Sequence, residues 1–166
     1  MAIEIERRFL VKGFKWEKFV KSEIKIRQGY FPTEIKKWSI RIRIIDNKES
    51  LITVKSPKND VENYEFEYKI PIHDAEKMWD LLEYKIIKTR YNLILEDGDW
   101  VIDCFEEANK PLIIAEVELS SKNDEIEIPS WCIKEITGDK SLSNAALAKE
   151  PIAHREQKEN QFPMDL

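Results

Sequence analysis

The chain has 166 residues, 42% of them apolar and 36% charged, with a formal net charge of −5. That length supports one domain with its own core and no need of disulfide staples. The acidic balance excludes a general nucleic-acid binder, which needs a basic field, and no apolar run approaches the ~18 residues of a membrane span.

In chain order, residues 2–11 alternate up to Gly13 and predict a strand. Phe14 to Lys21, apolar at Phe14, Trp16, Phe19 and Val20, predicts a short amphipathic helix. Residues 25–31 predict a strand closed by Pro32. Strands follow at about 38–46, 50–56 and 62–70, joined by turn residues at Asp46–Asn47 and Ser56–Pro57–Lys58–Asn59–Asp60. A helix is predicted over Ile72–Tyr84, N-capped by Asp74, with Ala75, Met78, Trp79, Leu81 and Leu82 as its apolar stripe. Strands resume at 86–96, 100–106 and 112–120, with a turn at Asp97–Gly98–Asp99. Asp139 or Ser141 caps a last small helix through Ala148, which Pro151 stops; residues 151–166 read as a polar tail, loose from His154 onward. Hairpins with few inserted helices predict an α+β chain, mostly antiparallel β, with the sheet closed into a barrel.

The strands share a charge pattern. Successive side chains on a strand point to opposite faces. One face collects Glu4, Glu6, Arg8, Arg41, Arg43, Lys55, Glu65, Glu67, Lys88, Arg90, Asp103, Glu116 and Glu118, while Ile5, Ile42, Val54, Phe66 and Val117 take the other. Parity alone leaves two readings. Either the charged face lines a wet tunnel with helices covering the apolar outside, or it is the solvated side of a sheet laced with ion pairs. A charged lumen is expensive to dry out unless water, divalent cations and a charged ligand fill it.

The inventory suits that filling. Carboxylates two apart on a strand can share a hard cation such as Mg²⁺ or Mn²⁺, and arginines and lysines from other strands can grip phosphate. There is no Gly-rich phosphate loop, and the chain has four glycines in all. Cys104 and Cys132 form no metal spacing and read as packing residues, reduced in a cytoplasmic chain without a secretory segment. His73 and His154 read as surface residues.

Ordered motifs then carry a resemblance. EIERRFLV at 4–11, QGYF at 28–31, SIRIR at 39–43, ITVK at 52–55 and YEFEYKIP at 64–71 stand in sequence. IKTRY at 87–91, VIDCFE at 101–106, AEVEL at 115–119 and EITGDKSLSNAALA at 135–148 follow. Over residues 1–150 the chain resembles the CYTH domain of triphosphate tunnel metalloenzymes, whose opening ExExK signature is matched at Glu4, Glu6 and Arg8.

The resemblance implies an eight-stranded closed tunnel with a polar, charged lumen and helices packed outside. It implies Mg²⁺- or Mn²⁺-dependent hydrolysis of a triphosphate, above all inorganic tripolyphosphate as in short bacterial members. For metal it points to Glu4, Glu6, Glu65, Glu67, Asp103, Glu116 and Glu118, with Glu4, Glu6 and Glu118 foremost. For substrate it points to Arg8, Arg41, Arg43, Lys55, Lys88 and Arg90, and for catalysis to Glu4, Glu6, Arg8, Lys88 and Tyr30. Trp38 and Trp100 are candidates for a tunnel mouth. Arg8 departs from the family lysine: it keeps the charge but is larger and cannot act as a base near neutral pH. The alternatives left open are a class IV-type adenylate cyclase, another nucleoside or thiamine triphosphatase, and a polyphosphate- or nucleotide-binding module with little turnover. Self-association into a homodimer is also left open.

Overall fold

The computed structural model describes residues 2–59 and 62–155. Its strands are β1 (Ala2–Val11), β2 (Val20–Tyr30), β3 (Ser39–Ile45), β4 (Glu49–Pro57), β5 (Glu62–Lys69), β6 (Tyr84–Leu93), β7 (Asp99–Phe105), β8 (Ile113–Glu118) and β9 (Cys132–Glu135). The helices are α1 (Ile72–Leu81) and α2 (Asn144–Lys149). The first eight strands pair antiparallel in the ring order β1-β5-β4-β3-β2-β6-β7-β8, closed by β8 against β1. β5 pairs with β1 through Ile5, and β9 pairs with the same strand from Phe9 to Val11. Among the described residues no helix is long and apolar enough to cross a membrane.

Closure of β1 against both β5 and β8 resolves the parity question in favour of the tunnel, and register shows which positions line it. Lys55 lies opposite Glu65, Thr53 opposite Glu67, Arg90 opposite Asp103 and Arg8 opposite Glu116, so the charged positions share one face. Across the wall, Ile42 and Val117 are fully buried outside the lumen, and Ile5, Val54 and Phe66 are half-buried. α1 packs on β2, β3 and β4. The β1–β7–β8 side is covered differently. Trp16 and Trp131 join Phe9, Trp100, Ile102, Ala115 and Val117 in an outer core, so a 3-10 turn at Lys15–Phe19 and the segment leading to β9 stand where a helix was expected. Each such fully buried side chain contributes ~1.5–3 kcal/mol.

A second core closes one end of the barrel. Leu10, Tyr30, Ile86, Phe105 and Ile114 face inward and pack against Ile136, Leu142, Leu147 and Ala148. Asn109, buried between β7 and β8, donates to Leu147 O and accepts from Ile152 N, holding this plug from the loop side.

Several local expectations shift. The predicted helix at 14–21 is the 3-10 turn, and β2 begins at Val20, because the ladder to β6 runs from Val20↔Leu93 to Tyr30↔Tyr84. The same ladder takes Tyr84, so α1 ends at Leu81 and Leu82 is extended. Leu81 is then 74% exposed, and Leu82 packs instead on the outer face of the sheet over Gly29 and Ile42. A Cβ on Gly29 would lie 2.7 Å from Leu82 Cδ1, which is why QGYF carries a glycine there. Asp74 does not cap α1, whose N-cap is Pro71. Asp139 caps a 3-10 turn at Lys140–Leu142, and Ser143 accepts from Ala146 N to cap α2, which ends before Pro151. β9 had no counterpart in the sequence reading. Residues 152–154 form a further 3-10 turn, and Arg155 donates to Glu150 O and Ser141 O. Asp60 of the predicted turn and residues 156–166 of the predicted tail lie outside the described residues.

Candidate active site

Seven strands deliver the charged lumen, and its groups fall into two sets. The first set is internally satisfied. Arg90 clamps Asp103 through Nε to Oδ1 at 2.7 Å and Nη2 to Oδ2 at 2.8 Å, while Lys88 Nζ donates to the same carboxylate at 2.7 Å. Lys88 also donates to Asn144 Oδ1 of α2 at 3.0 Å and is 0% exposed, as is Asp103. Burial opposes the charge on Asp103, but Arg90 and Lys88 outweigh it and hold the carboxyl far below its usual range. Burial would likewise raise Glu116, yet Arg90, with Arg8 and Lys88, brings it to about 2. Lys88 itself is lowered to about 7, chiefly by burial.

The second set is not satisfied. Burial, then the charges of Glu116 and Glu4, push Glu6 up to about 8. Glu65 is raised by burial and by Glu4. Glu4 is held below its ordinary value despite burial, because Lys55 Nζ lies 2.6 Å from its Oε2; the same ammonium is 3.6 Å from Glu65 Oε2. Among the described residues Arg8 Nη2 and Arg41 Nε are buried without a hydrogen-bond partner, and Arg8 Nε has only Glu116 Oε1 at 3.5 Å. Arg43 uses Nε on Gln28 Oε1 at 2.7 Å, and burial lowers it to about 10. Buried donors left without acceptors are costly, so their concentration in one lumen marks a place shaped for an anion.

A cavity of about 640 Å³ opens over Glu6 and Arg8 and is rimmed by Lys37, Trp38, Asn63, Thr137 and Lys140. That is room for one small ligand. The expected residues thus divide by place. Glu4, Glu6, Glu65, Lys55, Arg8, Arg41 and Arg43 share the lumen face, and of these Glu6 and Arg8 line the cavity itself. Lys88, Arg90, Asp103 and Glu116 form its buried floor. Glu67 accepts from Thr53 Oγ1 at 2.8 Å and is exposed overall, and Glu118, opposite Glu6, is exposed at the rim. Tyr30 is 5% exposed and accepts from Gln28 Nε2. Trp38 stands at the mouth, 40% exposed. Trp100 does not: it is buried at 1% in the outer core, with Nε1 donating to Asp97 O.

Cys104 and Cys132 pack against that outer core, and burial pushes each thiol up to about 12. His73 and His154 are exposed. Sequence reasoning passed over Gln28 and Asn144. Gln28 stands two before Tyr30 and therefore on its face, whereas nothing local to Asn144 announces its contact with Lys88.

Comparisons with known proteins agree with this geometry. The CYTH domain model matches residues 2–149. The chain is 35% identical over 153 residues to an inorganic triphosphatase of Acetivibrio thermocellus, covering 91% of this chain and 96% of that protein. It is 34% identical over 149 residues to an inorganic triphosphatase of Nitrosomonas europaea, covering 87% and 96%. A crystal structure of an inorganic triphosphatase superposes with a TM-score of 0.66 at 33% identity, covering 89% of this chain and 95% of that one. A Pyrococcus horikoshii protein at 20% identity and TM-score 0.57, covering 72% and 80%, shares the fold alone. With the family model spanning nearly all of the described barrel, the chain belongs to the CYTH domain family.

Proposed function

We propose that this protein is a divalent-cation-dependent hydrolase of inorganic tripolyphosphate, splitting it to pyrophosphate and orthophosphate. The observation that carries the reading is that, among the described residues, Arg8 Nη2 and Arg41 Nε are buried without a hydrogen-bond partner on strands whose shared face is crowded with carboxylates. Arg8, Arg41 and Arg43 bind and orient the phosphate chain. Arg90 and Lys88, committed to Asp103, keep the floor rigid, their charges balanced by Asp103 and Glu116. Water provides the hydroxyl that stays with orthophosphate; the bridging P–O bond breaks and its electron pair leaves with pyrophosphate.

The residues fit a hard cation. Among the described residues no group of three or more His, Cys, Asp or Glu is already arranged to hold one. Mg²⁺ and Mn²⁺ need no such cage, since one or two carboxylates, water and substrate phosphates complete their shell. Glu4 and Glu6 are best placed to hold the ion, because burial and the neighbouring carboxylates of Glu116 and Glu4 raise Glu6 more than Lys55 and Arg8 lower it. When bound, the ion neutralises phosphate charge and makes water a better nucleophile. Glu65 and Glu116 stand beside that pair; Glu67, Asp103 and Glu118 contribute charge from further round the lumen.

The activity test is phosphate release from tripolyphosphate, ATP and thiamine triphosphate with Mg²⁺ or Mn²⁺. Tripolyphosphate should exceed ATP in kcat/KM by at least about tenfold, or ~1.4 kcal/mol, because the arginines grip phosphate and nothing built grips a nucleoside. Faster conversion of ATP to cyclic AMP would replace the reading with a cyclase, to which Trp38 at the mouth would offer a stacking face.

A further inference from the structure

Gln28 on β2 faces the lumen at 0% exposure, and neither the phosphate-binding set nor the cation-binding set includes it. Its two ends are committed in opposite senses. Oε1 accepts from Arg43 Nε at 2.7 Å, and Nε2 donates to the Tyr30 hydroxyl at 2.9 Å. The arginine fixes the orientation of the amide, because a guanidinium nitrogen can only donate. Register then extends the reach of this one side chain. Gln28 lies opposite Arg43, and Tyr30 lies opposite Arg41. The phenol of Tyr30 is thereby placed beside Arg41, with which it interacts electrostatically. A single buried amide therefore holds one arginine of β3 directly and steadies the phenol that neighbours the other.

Those arginines differ from Arg90, whose fork is closed on Asp103. With Nε engaged by Gln28, Arg43 keeps its two terminal amino groups without a hydrogen bond among the described residues, and Arg41 keeps a partnerless Nε. Holding a guanidinium by one edge sets the direction of the other, and a long side chain held in advance loses less entropy when a ligand arrives. We infer that Gln28 is a positioning residue for substrate binding, aiming Arg43 and, through Tyr30, Arg41 at the oxygens of the polyphosphate chain. The inference rests on the proposal that these arginines grip the substrate.

The experiment compares wild type with Gln28→Leu, Arg43→Ala and the double variant. It measures KM and kcat for tripolyphosphate, at a temperature where thermal unfolding shows each protein folded. Gln28→Leu should raise KM at least about tenfold, and in the Arg43→Ala background it should add no more than the roughly threefold that runs through Tyr30, since the rest acts through that arginine. A folded Gln28→Leu with wild-type KM, or losses that multiply in full in the double variant, overturns the inference. A wild-type KM in Arg43→Ala overturns the phosphate-gripping reading together with it; a raised KM there beside a wild-type KM in Gln28→Leu overturns the inference alone. Should Gln28→Leu fail to fold, Gln28→Glu decides. It keeps the acceptor for Arg43 and loses the donor to Tyr30, so KM should rise about threefold and the rise should vanish in a Tyr30→Phe background. A wild-type KM, or a rise that persists there, overturns the inference.

Discussion

The two halves of the barrel interior are built from the same faces of the same strands, yet one is charged and the other apolar. β1 presents Glu4, Glu6 and Arg8 and then Leu10; β6 runs from Arg90 and Lys88 to Ile86; β7 from Asp103 to Phe105; β8 from Glu116 to Ile114. The change falls where Leu142 and Leu147 arrive. Protein fills the apolar half, so burial there is favourable without polar partners. The charged half is left for a ligand, and its groups stay mismatched until one comes. Arg8 sits on the seam. Its Nη1 donates to Leu142 O of the plug at 2.9 Å, while Nη2 remains available to the lumen. A guanidinium serves both sides at once, which gives the departure from the family lysine a structural role.

The sharpest way to break this contrast is to remove a charge from the unfilled half. Glu4→Gln should lower kcat for tripolyphosphate about a thousandfold, or ~4 kcal/mol, in a steady-state assay with Mg²⁺ or Mn²⁺. Its melting temperature should fall modestly, because Lys55 loses the carboxylate that lies 2.6 Å from its ammonium. Retained activity would place the cation elsewhere.

In the filled half the effect should move from turnover to stability. Leu147 is 0% exposed, and Leu147→Ala should cost ~3 kcal/mol in urea unfolding through the cavity it leaves. A loss under ~1 kcal/mol would mean that the plug is only loosely seated.

The pH dependence of the chelated protein sharpens the same comparison. Glu6 is raised to about 8, so its contribution is fully present below its ordinary value of 4.5 and is lost as pH climbs through about 8. Lys88, lowered to about 7 from 10.5, has the opposite sense: its contribution is present at high pH and is lost as pH falls through about 7. Glu6→Gln should therefore be more stable than wild type by ~2 kcal/mol at pH 9 and equal to it near pH 4, read from denaturant midpoints. An equal gain at both values would remove crowding as the cause.

The smallest effect should come from outside the wall. Arg7 holds Glu135 at 2.7 Å, but both side chains are about a third exposed or more, at 31% and 40%. Arg7→Ala should change stability by less than ~1 kcal/mol and leave kcat/KM unaltered.

How much of this was legible beforehand depends on the range of the interaction concerned. The alternation that puts Glu4, Glu6 and Arg8 on one face of β1, or Arg41 and Arg43 on one face of β3, is a property of the extended backbone. It follows from local sequence alone, as do the turn at Asp97–Gly98–Asp99 and the end of α2 before Pro151. Which face is inside is a different matter, since parity cannot distinguish a lumen from a solvated surface; closure of β1 against both β5 and β8 decides it. The boundaries of β2 and α1 were moved by one long ladder, a pairing between segments some sixty residues apart whose gain outweighs local helical preference. β9, only four residues long, exists because β1 offers it a pairing edge beyond β5. The roles within the charged set were decided last. Lys88 and Arg43 look alike in the sequence as cations on alternating strands. Tertiary placement closes one on Asp103 and Asn144 and gives the other a neutral amide, Gln28, in place of a carboxylate, because the partners come from other strands.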